Sequence, residues 1–172
     1  TPSGVQESDE IYLLSGAGDN VKVRDALMDI KVLREMDRDG LEQWTPVMKA
    51  GFPLPATEVP KVFAALQLDP PPLHRASYSL EEFIRELALP GGRIRAVSVR
   101  KRRTRYTVGG CTAELSEVVA DGKMTRTVAI ESEDATAVIA AVRSLGLGGY
   151  VNTSYPRGLA ALIDGEPSRF AV

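Results

Sequence analysis

The stretch VKVRDALMDIKV, Val21 to Val32, constrains this chain more than any other. Apolar and charged residues alternate: Val21 and Val23 take one side of an extended strand, Lys22 and Arg24 the other. After a short turn at Asp25-Ala26-Leu27 the alternation resumes, with Ile30 and Val32 on one face and Asp29 and Lys31 opposite. A period of two on both sides of a turn predicts a β-hairpin with one aliphatic and one charged face. The aliphatic face needs a cover, and the charged face needs water or a counter-ion.

The second half holds a basic counterpart, RIRAVSVRKRRTRY, Arg93 to Tyr106, with seven Lys or Arg and no acid. As a strand it places Lys101, Arg103 and Arg105 on one face. Two arrangements satisfy this pattern. In one, a solvated antiparallel sheet turns its charges to water. In the other, the sheet curls and its charged faces look at one another across an anion site. Like charges about 4 Å apart repel by roughly 4 kcal/mol at an effective dielectric near 20. An inward basic lining therefore requires interleaved carboxylates or a bound polyanion. Glu42, Glu114, Glu131 and Asp29 lie on the strand segments and can serve.

At 172 residues the chain fits one domain, 1–172, which would bury roughly 70% of its unfolded surface. Its net charge of −2 argues against a general affinity for nucleic acid, so the basic residues matter locally. A single cysteine, Cys111, rules out an internal disulfide and favours a reducing, cytoplasmic setting. His74 is the only histidine, so no His-rich metal site can form. No run of about 18 apolar residues marks a membrane helix, and no signal peptide is visible.

Along the chain, Thr1 to Glu10 reads as an irregular polar entry and Ile11 to Leu14 as a short strand. Ser15 to Asn20 is a turn; it lacks the Lys-Ser/Thr and the following helix of a phosphate-binding loop. Leu41 to Lys49 reads as a strand that pairs Glu42 with Trp44 on one face, and Pro46 places it at an edge. Helical spacing covers 58–66, and Ser79 with Glu82 forms a capping box for a helix over 80–88. Strands follow at 93–108, 111–119 and 124–133. Asp134 caps a helix over 135–145, and a last helix starts near Pro156. The first three helices can cover the aliphatic faces. The expected fold class is α+β: a mainly antiparallel β tunnel or curled barrel with helices outside.

The ordered series Glu7-Ser8-Asp9-Glu10-Ile11-Tyr12-Leu13, VKVRD, DIKVL, GLEQW, KRRTRY, TVAIE and Asn152-Thr153-Ser154-Tyr155 resembles the CYTH, or triphosphate tunnel metalloenzyme, family over most of residues 7 to 162. The resemblance implies an eight-stranded antiparallel tunnel that hydrolyses the terminal phosphoryl of a triphosphate or polyphosphate with Mg²⁺ or Mn²⁺. It implies Lys22, Arg24, Lys31, Lys101 and Arg103 as phosphate ligands, Glu131 as a metal ligand, and Glu42 and Glu114 as further ones. Three features depart from the family pattern. The hallmark Glu-x-Glu-x-Lys is absent, which with the TPSGV start leads to the expectation that an N-terminal strand and helix are missing. Ser116 stands where an Asp is common, and Ala129 where the first Glu of Glu-x-Glu is common. A non-catalytic polyphosphate or nucleotide binder is the alternative these departures leave open. An RNA-binding protein is a further one, disfavoured because Tyr106 is the only stacking candidate beside the basic strip.

Overall fold

The structure is a computed structural model and describes residues 2–165. Seven antiparallel strands form one sheet in the order β4-β3-β2-β1-β7-β8-β9. They are β1 (Ser3–Leu14), β2 (Asn20–Arg24), β3 (Leu27–Met36), β4 (Glu42–Gly51), β7 (Arg95–Val108), β8 (Cys111–Ala120) and β9 (Lys123–Glu131). A separate ribbon pairs β5 (Leu54–Pro55) with β6 (Ser77–Tyr78). The helices are α1 (Val59–Ala65), α2 (Leu80–Glu82, continued as a π-helix over Phe83–Ala88), α3 (Ala135–Ser144) and α4 (Tyr155–Asp164). The antiparallel α+β architecture is the expected one, although the described sheet has seven strands, where the resemblance implies eight.

Alternation builds this sheet as the sequence pattern requires. In the β2–β3 hairpin Val21 faces Ile30 and Val23 faces Met28, all on the outer side. Lys22 lies opposite Asp29 on the inner side. Leu13, Val21, Val23, Met28, Ile30 and Met48 form the outer core with Val59, Val62 and Phe63 of α1 and Phe83 and Leu87 of α2. The Ser79 capping box that starts α2 is fully formed: Ser79 Oγ accepts from the Glu82 amide and the Glu82 carboxylate accepts from the Ser79 amide. Helix α3 covers the far end of β8, where Val138 and Ala141 pack with Cys111.

The entry segment differs from expectation. Residues 3–10, within the segment expected to be irregular, are the first two-thirds of the central strand. β1 runs unbroken from Ser3 to Leu14 between β2 and β7, with a register shift between Ser3 and Val5. Its partner explains why. Opposite Glu7 and Asp9 the ladder places Arg102 and Arg100, so acidic and basic strands neutralise each other across more than 90 residues of chain.

The sheet curls until its two ends approach. Leu41, at the β3–β4 tip, packs with the Cys111 cluster of β8 and α3. The Asn152 side-chain amide donates to the Gly40 carbonyl at 2.7 Å, and Arg157 pairs with Glu42. α4 lies on the concave side. Its one buried residue, Leu159, packs with Tyr12, Leu14, Val97, Val99, Val118 and Ala120. Of the four helices, α1 to α3 cover the outside as expected, whereas α4 fills the inside. No helix among the described residues is long and apolar enough to cross a membrane.

Candidate functional site

One carboxylate sits at the centre of the concave face. Glu10 of β1 has a side-chain exposure of 0%. Its Oε2 lies 3.4 Å from Lys22 Nζ and 3.2 Å from Lys101 Nζ. Its Oε1 accepts from Arg103 Nη2 at 2.7 Å and lies 4.0 Å from Arg24 Nη1. Four cations from β2 and β7 thus surround a single anion.

Neighbouring hydroxyls complete the cluster. Arg103 Nη2 also donates to Ser8 Oγ at 2.5 Å, and Ser8 Oγ donates to Glu10 Oε1 at 3.0 Å. Lys101 Nζ donates to the Tyr12 hydroxyl at 2.7 Å. The same ammonium lies 3.5 Å from the centre of the Tyr155 ring, a cation–π contact made by α4. Tyr12 and Tyr155 stack with ring centres 5.8 Å apart. Arg103 Nε is buried and has no hydrogen-bond partner among the described residues.

The electrostatics follow from burial and crowding. Burial on its own would raise the pKa of Glu10. The charges of Lys101 and Lys22, with hydrogen bonds from Arg103 and Lys101, outweigh that and hold it at about 2. Burial lowers Lys101 most, and repulsion from Lys22 and Arg103 adds to it. Against the pull of Glu10, Lys101 falls to about 7. Burial likewise lowers Lys22 and raises Tyr12 and Tyr155.

The residues singled out in the sequence divide into two groups. Lys22, Arg24, Lys101 and Arg103 all face inward and meet at Glu10. Arg100, of opposite parity, faces outward with a side-chain exposure of 71% and pairs with Asp9 at 3.0 Å. Lys31 shares the concave face beside Asn20 but stays outside the Glu10 cluster. The three carboxylates expected to bind metal are dispersed. Glu42 accepts from Trp44 Nε1 at 3.0 Å and pairs with Arg157. Glu114 accepts from Ser116 Oγ and from Arg105 Nε, each at 3.1 Å. Glu131 is exposed at the end of β9, opposite Thr112. Among the described residues no three His, Cys, Asp or Glu side chains are grouped to hold a metal ion. Glu10, Ser8 and Tyr12 form the heart of the cluster and were not read as site residues. Their i, i+2, i+4 spacing on β1 was the available signal.

No protein-family model matches this chain, and no curated protein matches it. Among solved structures, the crystal structure of a "putative adenylate cyclase" from Bacillus halodurans aligns with a TM-score of 0.47 at 8% sequence identity. The alignment covers 90% of this chain and 82% of that one.

Proposed function

We propose that the concave face binds the phosphate chain of a small molecule, a polyphosphate or a nucleotide, through Lys22, Arg24, Lys101 and Arg103, with Lys31 at the margin. One observation carries this reading: four cations from two strands converge on one buried carboxylate, with one arginine N–H unsatisfied. Arg and Lys in such a cradle suit phosphoryl oxygens, which accept several charge-assisted hydrogen bonds at once. Glu10 then serves as the internal counter-ion that keeps the cradle folded while no anion is bound.

Metal-assisted hydrolysis of the same chain is the finer reading. It needs carboxylates free to take Mg²⁺ or Mn²⁺. Glu42 and Glu114 are engaged by arginines and other donors, Glu131 is exposed at the end of β9, and no three carboxylates are grouped among the described residues, so the residues as placed do not fit such a centre. The geometry favours binding over turnover. The RNA reading loses its continuous strip: Arg100 and Arg102 face outward, each paired with an acid, and Arg95 pairs with Asp164 at the end of α4.

Calorimetric titration with tripolyphosphate, with and without Mg²⁺, tests the reading. Binding should persist without the metal. Arg103→Ala should weaken it on the order of a hundredfold, as loss of an inward charge-assisted contact does, and Arg100→Ala should leave it nearly unchanged. Equal losses would point to a diffuse basic surface. Phosphate release with Mg²⁺ or Mn²⁺ would restore the hydrolytic reading.

A further inference from the structure

We propose that α4 is a self-inhibitory element: it closes the concave face over Lys101 and Arg103, and an incoming phosphate chain must displace it. The inference rests on the anion-binding reading above.

The two innermost cations are sealed, with side-chain exposures of 3% for Lys101 and 5% for Arg103. A phosphoryl group cannot reach them while they stay so. On the concave side the cover over Lys101 is the Tyr155 ring, 3.5 Å above the ammonium. Tyr155 is the first residue of α4, and its hydroxyl is hydrogen-bonded to that of Thr127 at 2.8 Å. The rest of the helix continues the seal, with Leu159 packed into the apolar half of the concavity.

The attachment of α4 is of a kind that can release. Only Leu159 is fully buried. Both ends are held by polar contacts in which the arginine is exposed, although the Glu42 carboxylate is buried. Arg157 pairs with Glu42 at the start, and at the end Asp164 pairs with Arg95 at 2.7 Å while Lys123 Nζ donates to the Ile163 carbonyl at 2.6 Å. Exposed ion pairs stabilise little, and a helix of ten residues is marginal away from its packing surface. The ligand and α4 compete for the same cation, because the Tyr155 ring offers Lys101 a weak π partner where a phosphate would offer a full charge. The closed form therefore lowers the apparent affinity of the open one by the fraction of molecules that are open.

Two measurements on the full chain test this, with tripolyphosphate as the probe. The first compares the wild type with Tyr155→Ala and with the double variant Arg157→Ala/Arg95→Ala, whose changes lie on exposed clasps outside the cradle. Affinity should rise on the order of tenfold in each, as relief of a closed population predicts. Acetic anhydride labelling of Lys101, read by peptide mass spectrometry, should rise in parallel. The second is hydrogen exchange of the wild type, in which saturating tripolyphosphate should speed exchange of the α4 amides. Binding that is present but unchanged in both variants, or ligand that slows α4 exchange, overturns the inference. Absence of tripolyphosphate binding in the wild type and in both variants overturns the anion-binding reading itself, and the inference with it.

Discussion

Glu10 shows how one residue ties stability to the site. Removing its charge leaves Lys22, Lys101, Arg103 and Arg24 facing one another in a buried space. Breaking a buried pair by deleting one partner costs about 3–5 kcal/mol, because the other charge is left uncompensated. Glu10→Gln should therefore lose stability of that order at neutral pH. The acid limb checks the same point from the other side. The folded pKa of Glu10 is about 2, against an ordinary 4.5. Between those values the unfolded chain binds the proton that the folded one refuses. The stabilisation is thus complete above pH 4.5 and is lost as pH falls towards 2. The shift corresponds to about 3 kcal/mol. Denaturant unfolding of the wild type should show that decline, and Glu10→Gln should lack it. Parallel acid limbs for the two proteins would mean that other carboxylates govern the acid transition. Lys101 acts in a different window. Its folded pKa of about 7 lies below the ordinary 10.5, so the unfolded chain holds more protons between those values. Its contribution to stability rises with pH across that window. The attraction it exerts on an anion fades earlier, as pH rises through about 7.

At the scale of elements, what was legible in the sequence was local. The β2–β3 hairpin, the capping box before α2, the Asp134 cap of α3 and the inward parity of Lys101 and Arg103 follow from alternation and cap chemistry, which a short window contains. β1 was not legible before Ile11, because what makes Ser3 to Glu10 a strand is the basic β7, about 90 residues away. The position of α4 was hidden for a related reason. Its sequence shows that it has an apolar side but not which side of the sheet receives it. The carboxylates expected to gather a metal were placed by analogy of order, and the curl of the sheet then gave each a different neighbour. One local feature carries strain of its own. Asp25 and Ala26 both have positive φ, 53° and 56°, in the two-residue turn between β2 and β3. The right-handed twist of the strands favours that turn, and an L-residue there costs roughly 1–2 kcal/mol, which glycine avoids. Ala26→Gly should therefore raise the melting temperature. A fall would show that the Ala26 methyl packs better than its backbone strain suggests.

At the scale of the whole molecule, the two edges of the sheet are built unequally. Edge strand β4 is backed by the main core: Met48 is buried in the same cluster as Ile30, Val59 and Phe63. Edge strand β9 has no such backing over most of its length. Met124 and Val128 are exposed, and α3 reaches only as far as Ile130. What holds β9 is its ladder with β8 and the contacts of α4 from the concave side. Buried apolar contact, more than hydrogen bonding, sets how costly a local opening is. The β9 edge should therefore open at a lower free energy than the β4 edge, and it should open together with α4, because Thr127 of β9 holds the Tyr155 hydroxyl. Native-state hydrogen exchange across a denaturant series resolves the two edges. The expected pattern is β9 and α4 amides exchanging through one shared small opening, while β4 amides exchange near the global limit. Substitution should agree. Met48→Ala should cost about 2–5 kcal/mol, as large-to-small changes in a core do, and Val128→Ala should stay within about 0.5 kcal/mol, as surface changes do. If β4 and β9 share one opening energy, the sheet behaves as a single cooperative unit. The concave face would then be reached only through global unfolding or through α4 moving alone.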